Sequence, residues 1–300
     1  MREIPNSKPN YPAHGAYRIH IAREGFASIL HVASGEIMHS RTPPMEEARR
    51  LYIEQSRLAE RLRPAETGRP LVLWDVGLGA AANAMAAIRC YEEQAAAGPV
   101  RPLQVVSFEN DLDSLRLAVE FRDLFPYLHH EAPAELLREG RWESRQHPGL
   151  SWILVPGDFQ QSMSLAPEPP EVIFYDLFSG RTNGDQWTLA AFRRLFAACG
   201  NHPTELFTYT VSTASRAALL VAGFWVARGR GTGAKGETTI ALTPAARNTP
   251  FGRRHELLGP EWLGKWRRSA ARIPSWLGAH EREEFEKAVL EHAQFRAASA

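Results

Sequence analysis

Cysteine is nearly missing from this sequence, with only Cys90 and Cys199 in 300 residues. Two thiols exclude a disulfide scaffold and a cysteine metal cage, and predict free thiols in a reducing cytoplasm. Lysine is almost as scarce, at four against 31 arginines. No apolar run reaches 18 residues, so no membrane span is expected. The first twelve residues lack the apolar stretch of a signal peptide. Net charge is close to nil, at +1. No glycine loop ends in Lys-Ser or Lys-Thr, which argues against a nucleoside triphosphatase. The histidines, His129-His130 included, show no ordered metal spacing, so no metal is expected. Internal repeats and low-complexity tracts are absent. What is present is ordinary for a globular chain: 44% hydrophobic and 23% charged residues, which excludes a disordered or collagen-like protein.

The charges are unevenly spread. Residues 225–272 carry ten basic and three acidic residues, whereas residues 105–185 carry fourteen acids and six bases. Such asymmetry either steers an anionic partner to one face or is a solvated surface. Residues 1–14 read as an arm. Three short segments, Tyr17–Ile21, Ser28–Val32 and Glu36–His39, punctuated by Gly25 and Gly35, predict a β-meander. Pro43-Pro44 opens a helix expected to run to Arg63, since proline suits a first helical turn.

From Leu71 the rhythm becomes strand, helix, strand. Continuous apolar strands are expected at 71–76, 103–109, 151–155, 171–176 and 204–210, with helices at 80–97, 112–125, 186–199 and 212–222. Residues 224–227 and 238–242 form a closing pair. Apolar strands alternating with helices predict an α/β fold with a mostly parallel seven-stranded sheet covered on both faces. Ligands of such sheets bind where the strand C-termini meet, at the switch in strand order. Residues 1–66 are read as arm, meander and helix, 67–244 as the Rossmann-like domain, and 245–300 as a basic, Trp-rich tail with a helix at 280–295. The tryptophans Trp262, Trp266 and Trp276 are expected to pack on the domain.

Chemistry concentrates at the strand ends. Asp75-Val-Gly77-Leu-Gly79 is a nucleotide-type turn in which glycine lets the backbone approach a ligand, although Ala82 stands where G-x-G-x-x-G has its third glycine. Glu109 ends the second strand, where an acid accepts hydrogen bonds from a ribose. Asp158 follows the third strand, placed to accept from an adenine amino group. Glycines at the first strand with acids at the second and third resemble a class I S-adenosylmethionine site, whose cofactor would rest on Gly77, Gly79, Asn83, Glu109, Asp158 and Asp176.

The fourth strand makes the resemblance specific. Asp176, Phe178, Asn183, Asp185 and Trp187 match the D-x-F-x(4)-N-x-D-x-W stretch of the MnmC-type methyltransferase family. Thr208-Tyr209-Thr210, Arg216 and Ala222-Gly223-Phe224 match its following segment. Ser40 with Glu46-Glu47-Ala-Arg49, Phe108-Glu109 and Gly157-Asp158 match earlier ones. The family's G-F-G-T-G-L-N turn reads Gly77-Leu-Gly79-Ala-Ala-Ala-Asn83 here. Its basic G-F-G-R-K-R-E loop reads Gly231-Thr-Gly233-Ala-Lys235-Gly-Glu237.

The resemblance implies a cytoplasmic S-adenosyl-L-methionine-dependent methyltransferase that N-methylates an aminomethyl group on a tRNA wobble uridine. Asp176 would be its catalytic carboxylate. Phe178 and Tyr209 would stack on the base, with Trp187 structural. Arg216, Arg228, Arg230 and Lys235 would meet phosphates. The flavin oxidase domain fused to some members has no counterpart, so a separate flavin oxidase is expected upstream. Two other readings stand beside this one. The first is a small-molecule amine methyltransferase of the same fold. The second is a non-catalytic binding protein that has lost the cofactor.

Overall fold

The computed structural model describes residues 13–39, 41–63, 68–231, 236–274 and 277–296. The chain first forms β1 (Ala13–His14), β2 (Tyr17–Ile21) and β3 (Ala27–His31), a three-stranded antiparallel sheet. The meander therefore starts earlier than expected. Its anticipated third segment, residues 36–39, contributes only an isolated bridge from Ile37 to Leu30. There the chain leaves the sheet: Glu36 spends its carboxylate on the backbone amide and hydroxyl of Ser179.

Eight further strands form the main sheet. They are β4 (Leu71–Val76), β5 (Leu103–Glu109), β6 (Arg141–Glu143), β7 (Leu150–Pro156), β8 (Val172–Tyr175), β9 (Glu205–Thr208), β10 (Trp225–Arg230) and β11 (Glu237–Leu242). Their order is β10-β11-β9-β8-β4-β5-β7-β6. The five strands from β9 to β7 across the centre are parallel. β11 runs antiparallel between β9 and β10. The fold is thus the expected Rossmann-like α/β arrangement, with one strand more than the expected seven. The extra strand, β6, pairs antiparallel with β7. It escapes sequence reading because only Trp142 of its three residues is buried.

The expected helix from Pro44 to Arg63 is broken. Pro44–Ala48 is α-helical, Arg49–Ile53 widens to a π-turn, and Arg57 adopts a left-handed conformation (φ 54°) between Glu54–Ser56 and Leu58–Arg61. A left-handed residue other than glycine costs about 1–2 kcal/mol. The redirected last turn buries Leu58 and Leu62 completely and brings Arg61 to 2.7 Å from the buried Glu205. The helix anticipated over 112–125 covers Asp113–Glu120 and then tightens into a 3-10 turn at Arg122–Leu124.

Two apolar clusters cover the two faces of the sheet. One joins Leu71, Leu73, Val105 and Phe174 with the helix Ala82–Ala97 and with Tyr17, Ile19 and Leu58 from the N-terminal segment. The other joins Trp74, Val106 and Ile173 with the helices Leu189–Cys199 and Thr213–Ala222 and with Trp262, Trp266 and Phe285. Strands covered on both sides must be apolar at nearly every position, and all six residues of β4 are buried. Trp276 lies outside the described residues.

Candidate active site

The chain runs β4, β5, β7 outward in one direction and returns to β8 and β9 on the other side of β4. Loops leaving β4 and β8 diverge, and a crevice opens between them at the strand C-termini. Its volume is about 770 Å³, within the roughly 300–1,000 Å³ of small-molecule sites. Gly77, Gly79, Asn83, Glu109, Asp158, Asp176, Phe178 and Tyr209 all line it. These are eight residues drawn from five segments of the sequence.

Gly77 is the hinge of this arrangement. Its φ is +89°, and a Cβ there would sit 2.8 Å from the backbone oxygen of Asp176. Only glycine lets the end of β4 lie so close to the end of β8. In the altered glycine turn Ala81 takes a left-handed conformation (φ 64°) just before the helix Ala82–Ala97. Asn83, in the first turn of that helix, donates from Nδ2 to Asp176 Oδ2 at 2.7 Å.

Burial pushes the Asp176 carboxyl above its usual range, against the lowering effect of charge on His39, of Asn83 and of the Tyr52 hydroxyl. Glu109 accepts from the backbone amides of Gly79 (3.0 Å), Asn110 (2.9 Å) and Asp111 (3.1 Å). Burial nonetheless raises its pKa beyond what those three bonds offset. A carboxylate offers about four lone-pair sites, so one stays available to a ligand. Asp158 Oδ2 accepts from Gln186 Nε2 at 2.7 Å, which leaves Oδ1 for the contact expected of it.

Three polar atoms of the lining residues, Asn83 Oδ1, Thr182 Oγ1 and Gln186 Oε1, are buried without a hydrogen-bond partner. Each such atom costs about 1–3 kcal/mol unless something pairs with it. Together with the donor and acceptor set at three strand ends, they fit a polar, nucleoside-bearing ligand of the size of S-adenosyl-L-methionine.

The aromatic residues divide. Phe178 packs against His31 at 5.5 Å between ring centroids, and Tyr209 donates its hydroxyl to the Leu177 carbonyl at 3.0 Å. Trp187 is buried and donates to the Phe178 carbonyl at 2.9 Å, bracing the loop after β8.

The basic candidates are not brought to the crevice. Arg216 is 1% exposed, and its guanidinium is held by Thr239 Oγ1, Glu237 and the Thr238 carbonyl. A phosphate cannot reach it, and this corrects its expected role. Sequence alone does not separate the two cases, because a buried arginine on a helix reads like an exposed one. Arg228 is ion-paired with Glu237, Glu256 and Glu261. Arg230 is exposed and ends β10, three strands from β8 on the same sheet edge. Lys235 and Ser40 lie outside the described residues.

The N-terminal segment supplies what sequence reading missed. Tyr17, Glu36, His39 and Glu47 also line the crevice, and His39 Nδ1 lies 2.9 Å from Glu47 Oε2. Glu47 was legible as part of a resembling stretch. His39 carried no signal of its own.

A family model described as S-adenosyl-L-methionine-dependent methyltransferase matches residues 119–244. That stretch contains Asp158, Asp176 and Tyr209, and the chain is an S-adenosyl-L-methionine-dependent methyltransferase. Within that class it resembles the MnmC-type methyltransferases. It is 27% identical to a tRNA 5-methylaminomethyl-2-thiouridine biosynthesis bifunctional protein MnmC of Ectopseudomonas mendocina, covering 72% of this chain and 34% of that protein. It is 26% identical to the protein of the same name from Chromobacterium violaceum, covering 76% and 35%. The chain thus spans about a third of the length of these relatives. The crystal structure of MNMC2 from Aquifex aeolicus shares the fold, with a TM-score of 0.64 at 20% identity over 93% of this chain and 85% of that one. Among the described residues, no helix is long and apolar enough to cross a membrane, and no group of three or more potential ligands is placed to hold a metal ion.

Proposed function

We propose that this protein N-methylates a primary amine, and that the amine is an aminomethyl group on a tRNA wobble uridine. The observation that carries the amine is the crevice itself, which is lined by seven carboxylates and a single arginine, Arg181, among the described residues. Such a lining favours a cationic acceptor and disfavours a carboxylate or phosphate in the reacting position. The tRNA is supported by the names of the relatives, which are tRNA-modifying proteins.

S-adenosyl-L-methionine, when bound, supplies an electrophilic methyl group on a sulfonium. Gly77, Gly79, Asn83, Glu109 and Asp158 would hold it. The rest falls to side chains that orient the acceptor, because an in-line displacement gains most from positioning. Asp176, fixed by Asn83, would direct the amine nitrogen through a charge-assisted hydrogen bond. Its negative charge would also stabilise the cation that remains on the product. Phe178 and Tyr209 would flank an extruded base, since single-stranded RNA bases are recognised by stacking and edge contacts.

One observation favours a small-molecule amine instead. Arg216 is buried and Arg228 is neutralised by three glutamates, so two of the basic residues expected to meet RNA are committed within the protein. Tritiated methyl transfer into bulk tRNA from cells lacking this protein, compared with a pool of small amines, separates the two. Label in the tRNA, located by nucleoside mass spectrometry on an aminomethyl uridine, is the expected result. Label in the small-amine pool alone would reject tRNA as the substrate.

A further inference from the structure

Methyl transfer to an amine has a requirement that Asp176 does not meet. An alkylammonium has no lone pair, and a carboxylate beside it forms an ion pair that keeps the proton on nitrogen. A second group must take that proton. Histidine is the side-chain type that serves as an acid or base near neutral pH, and the described residues lining the crevice include two, His31 and His39. His31 lies toward the surface with Nδ1 bonded to Ser34 Oγ at 2.7 Å.

His39 is placed differently. It is 9% exposed, its backbone amide donates to the buried Ser28 Oγ at 3.0 Å, and its Nδ1 meets Glu47 Oε2 at 2.9 Å. A carboxylate accepting from Nδ1–H fixes the ring and its tautomer, so that Nε2 carries the lone pair. The charge of His39 bears on Asp176, which places the two within electrostatic reach across the same cavity. Neither the glycine turn nor the strand-end acids of the sequence contain this pair. It arises where the segment after β3 and the helix Pro44–Ala48 fold over the crevice.

We propose that His39, held and polarised by Glu47, is the base that takes the proton from the acceptor ammonium, while Asp176 orients the nitrogen. The inference rests on the amine acceptor proposed above. The N–H bond breaks with its electron pair left on nitrogen, and the proton bonds to His39 Nε2. That pair then forms the N–CH3 bond as the sulfonium S–CH3 pair leaves with sulfur. The product is a secondary ammonium, and the imidazolium returns its proton to water. The titratable groups that share the crevice with His39 include Glu47 on the helix, Asp176 after β8, Tyr209 after β9, Glu36 and Arg181, and Tyr52 in the π-turn interacts with Asp176 and Glu47. Glu47 is the group in hydrogen-bond contact with its ring.

The test is single-turnover transfer from labelled S-adenosyl-L-methionine into tRNA from cells lacking this protein, followed from pH 6 to about pH 9.5, near the ordinary range of a free amine. The proteins compared are the wild type, His39→Gln and Glu47→Gln, with donor affinity measured by calorimetry. The expected His39→Gln loss is about 100-fold at pH 7, the lower end for general-base removal. The gap should narrow toward the alkaline end as the amine begins to lose its own proton, and added imidazole should restore rate at pH 7. Glu47→Gln should show a smaller loss of the same pH-dependent form. Profiles that run parallel across pH, with no response to imidazole in either variant, would overturn the assignment while leaving the tRNA reading intact. A wild type that transfers nothing into the tRNA would overturn that reading, and the base assignment with it.

Discussion

In the proposed mechanism Asp176 meets two demands, since its carboxylate would have to stay charged in a place that burial makes costly for charge. Asn83 and the Tyr52 hydroxyl favour the ionised form, and burial opposes it with a net upward shift. Asp176→Ala should therefore abolish methyl transfer while calorimetry still detects donor binding. Retained transfer would remove Asp176 from the mechanism. Asn83→Ala removes one lowering influence, so the acid limb of the rate profile should move to higher pH. Glu109 has a different task. Its Oε2 fixes the Gly79 amide, and hydrogen bonds to charged groups are worth about 1.5–3 kcal/mol. Glu109→Ala should weaken donor affinity by about 10- to 100-fold, and an unchanged calorimetric Kd would reject the ribose assignment.

At the scale of the element, β4 carries a buried acid in the middle of an apolar sheet. Asp75 is 0% exposed, accepts from Ser107 Oγ at 2.7 Å, and Ser107 Oγ in turn accepts from Trp152 Nε1 at 2.8 Å. Burial pushes its carboxyl up to about 7. The folded chain thus holds a proton that the unfolded chain, with an ordinary carboxyl near pH 4, has already released. The stabilisation is complete below the unfolded value and is lost as pH rises toward 7. Urea unfolding should show stability falling by a few kcal/mol between about pH 4 and 7, at roughly 1.4 kcal/mol per pH unit. Asp75→Asn should flatten that slope, and an equal slope in both proteins would place the titration elsewhere. The central strands were readable from sequence because burial on both faces leaves no room for polar alternation. β6 was not readable, since a three-residue edge strand with one buried side chain has no period. The break at Arg57 was not readable either, because it is set by what Leu58, Arg61 and Leu62 reach in the folded chain.

At the scale of the molecule, three distant stretches close on one buried ion cluster. Arg61 from the N-terminal segment and His255 from beyond the sheet both lie 2.7 Å from Glu205 on β9. Burial acts to raise the Glu205 pKa, but the His255 hydrogen bond and the charge of Arg61 outweigh it, and the net shift is downward. Its contribution is therefore present above the ordinary carboxylate range and is lost as pH falls through the depressed folded value. Glu205→Gln strands Arg61 in the interior and should cost about 3–5 kcal/mol, read as a lower urea midpoint. An unchanged midpoint would show the cluster to be energetically idle. The outer surface carries the electrostatic test of RNA binding. If Arg230 meets phosphate, Arg230→Ala should weaken tRNA binding uniformly across sequences and reduce the slope of log affinity against log salt by about 1. No change in slope would remove Arg230 from the RNA contact.

The sequence by itself determined the order of strands and helices, the glycine turn, and the acids at the strand ends, because these depend on local periodicity and on which residues tolerate a tight turn. It also carried the resemblance that pointed to methyl transfer. Only the tertiary structure decided which charges serve the site. Arg216 went into the interior, Arg228 was neutralised by three glutamates, and His39 was carried across from the N-terminal segment to within electrostatic reach of Asp176. The physical reason is that a charge acts over a few ångströms of space, and the distances between these groups are fixed by packing rather than by their separation along the chain.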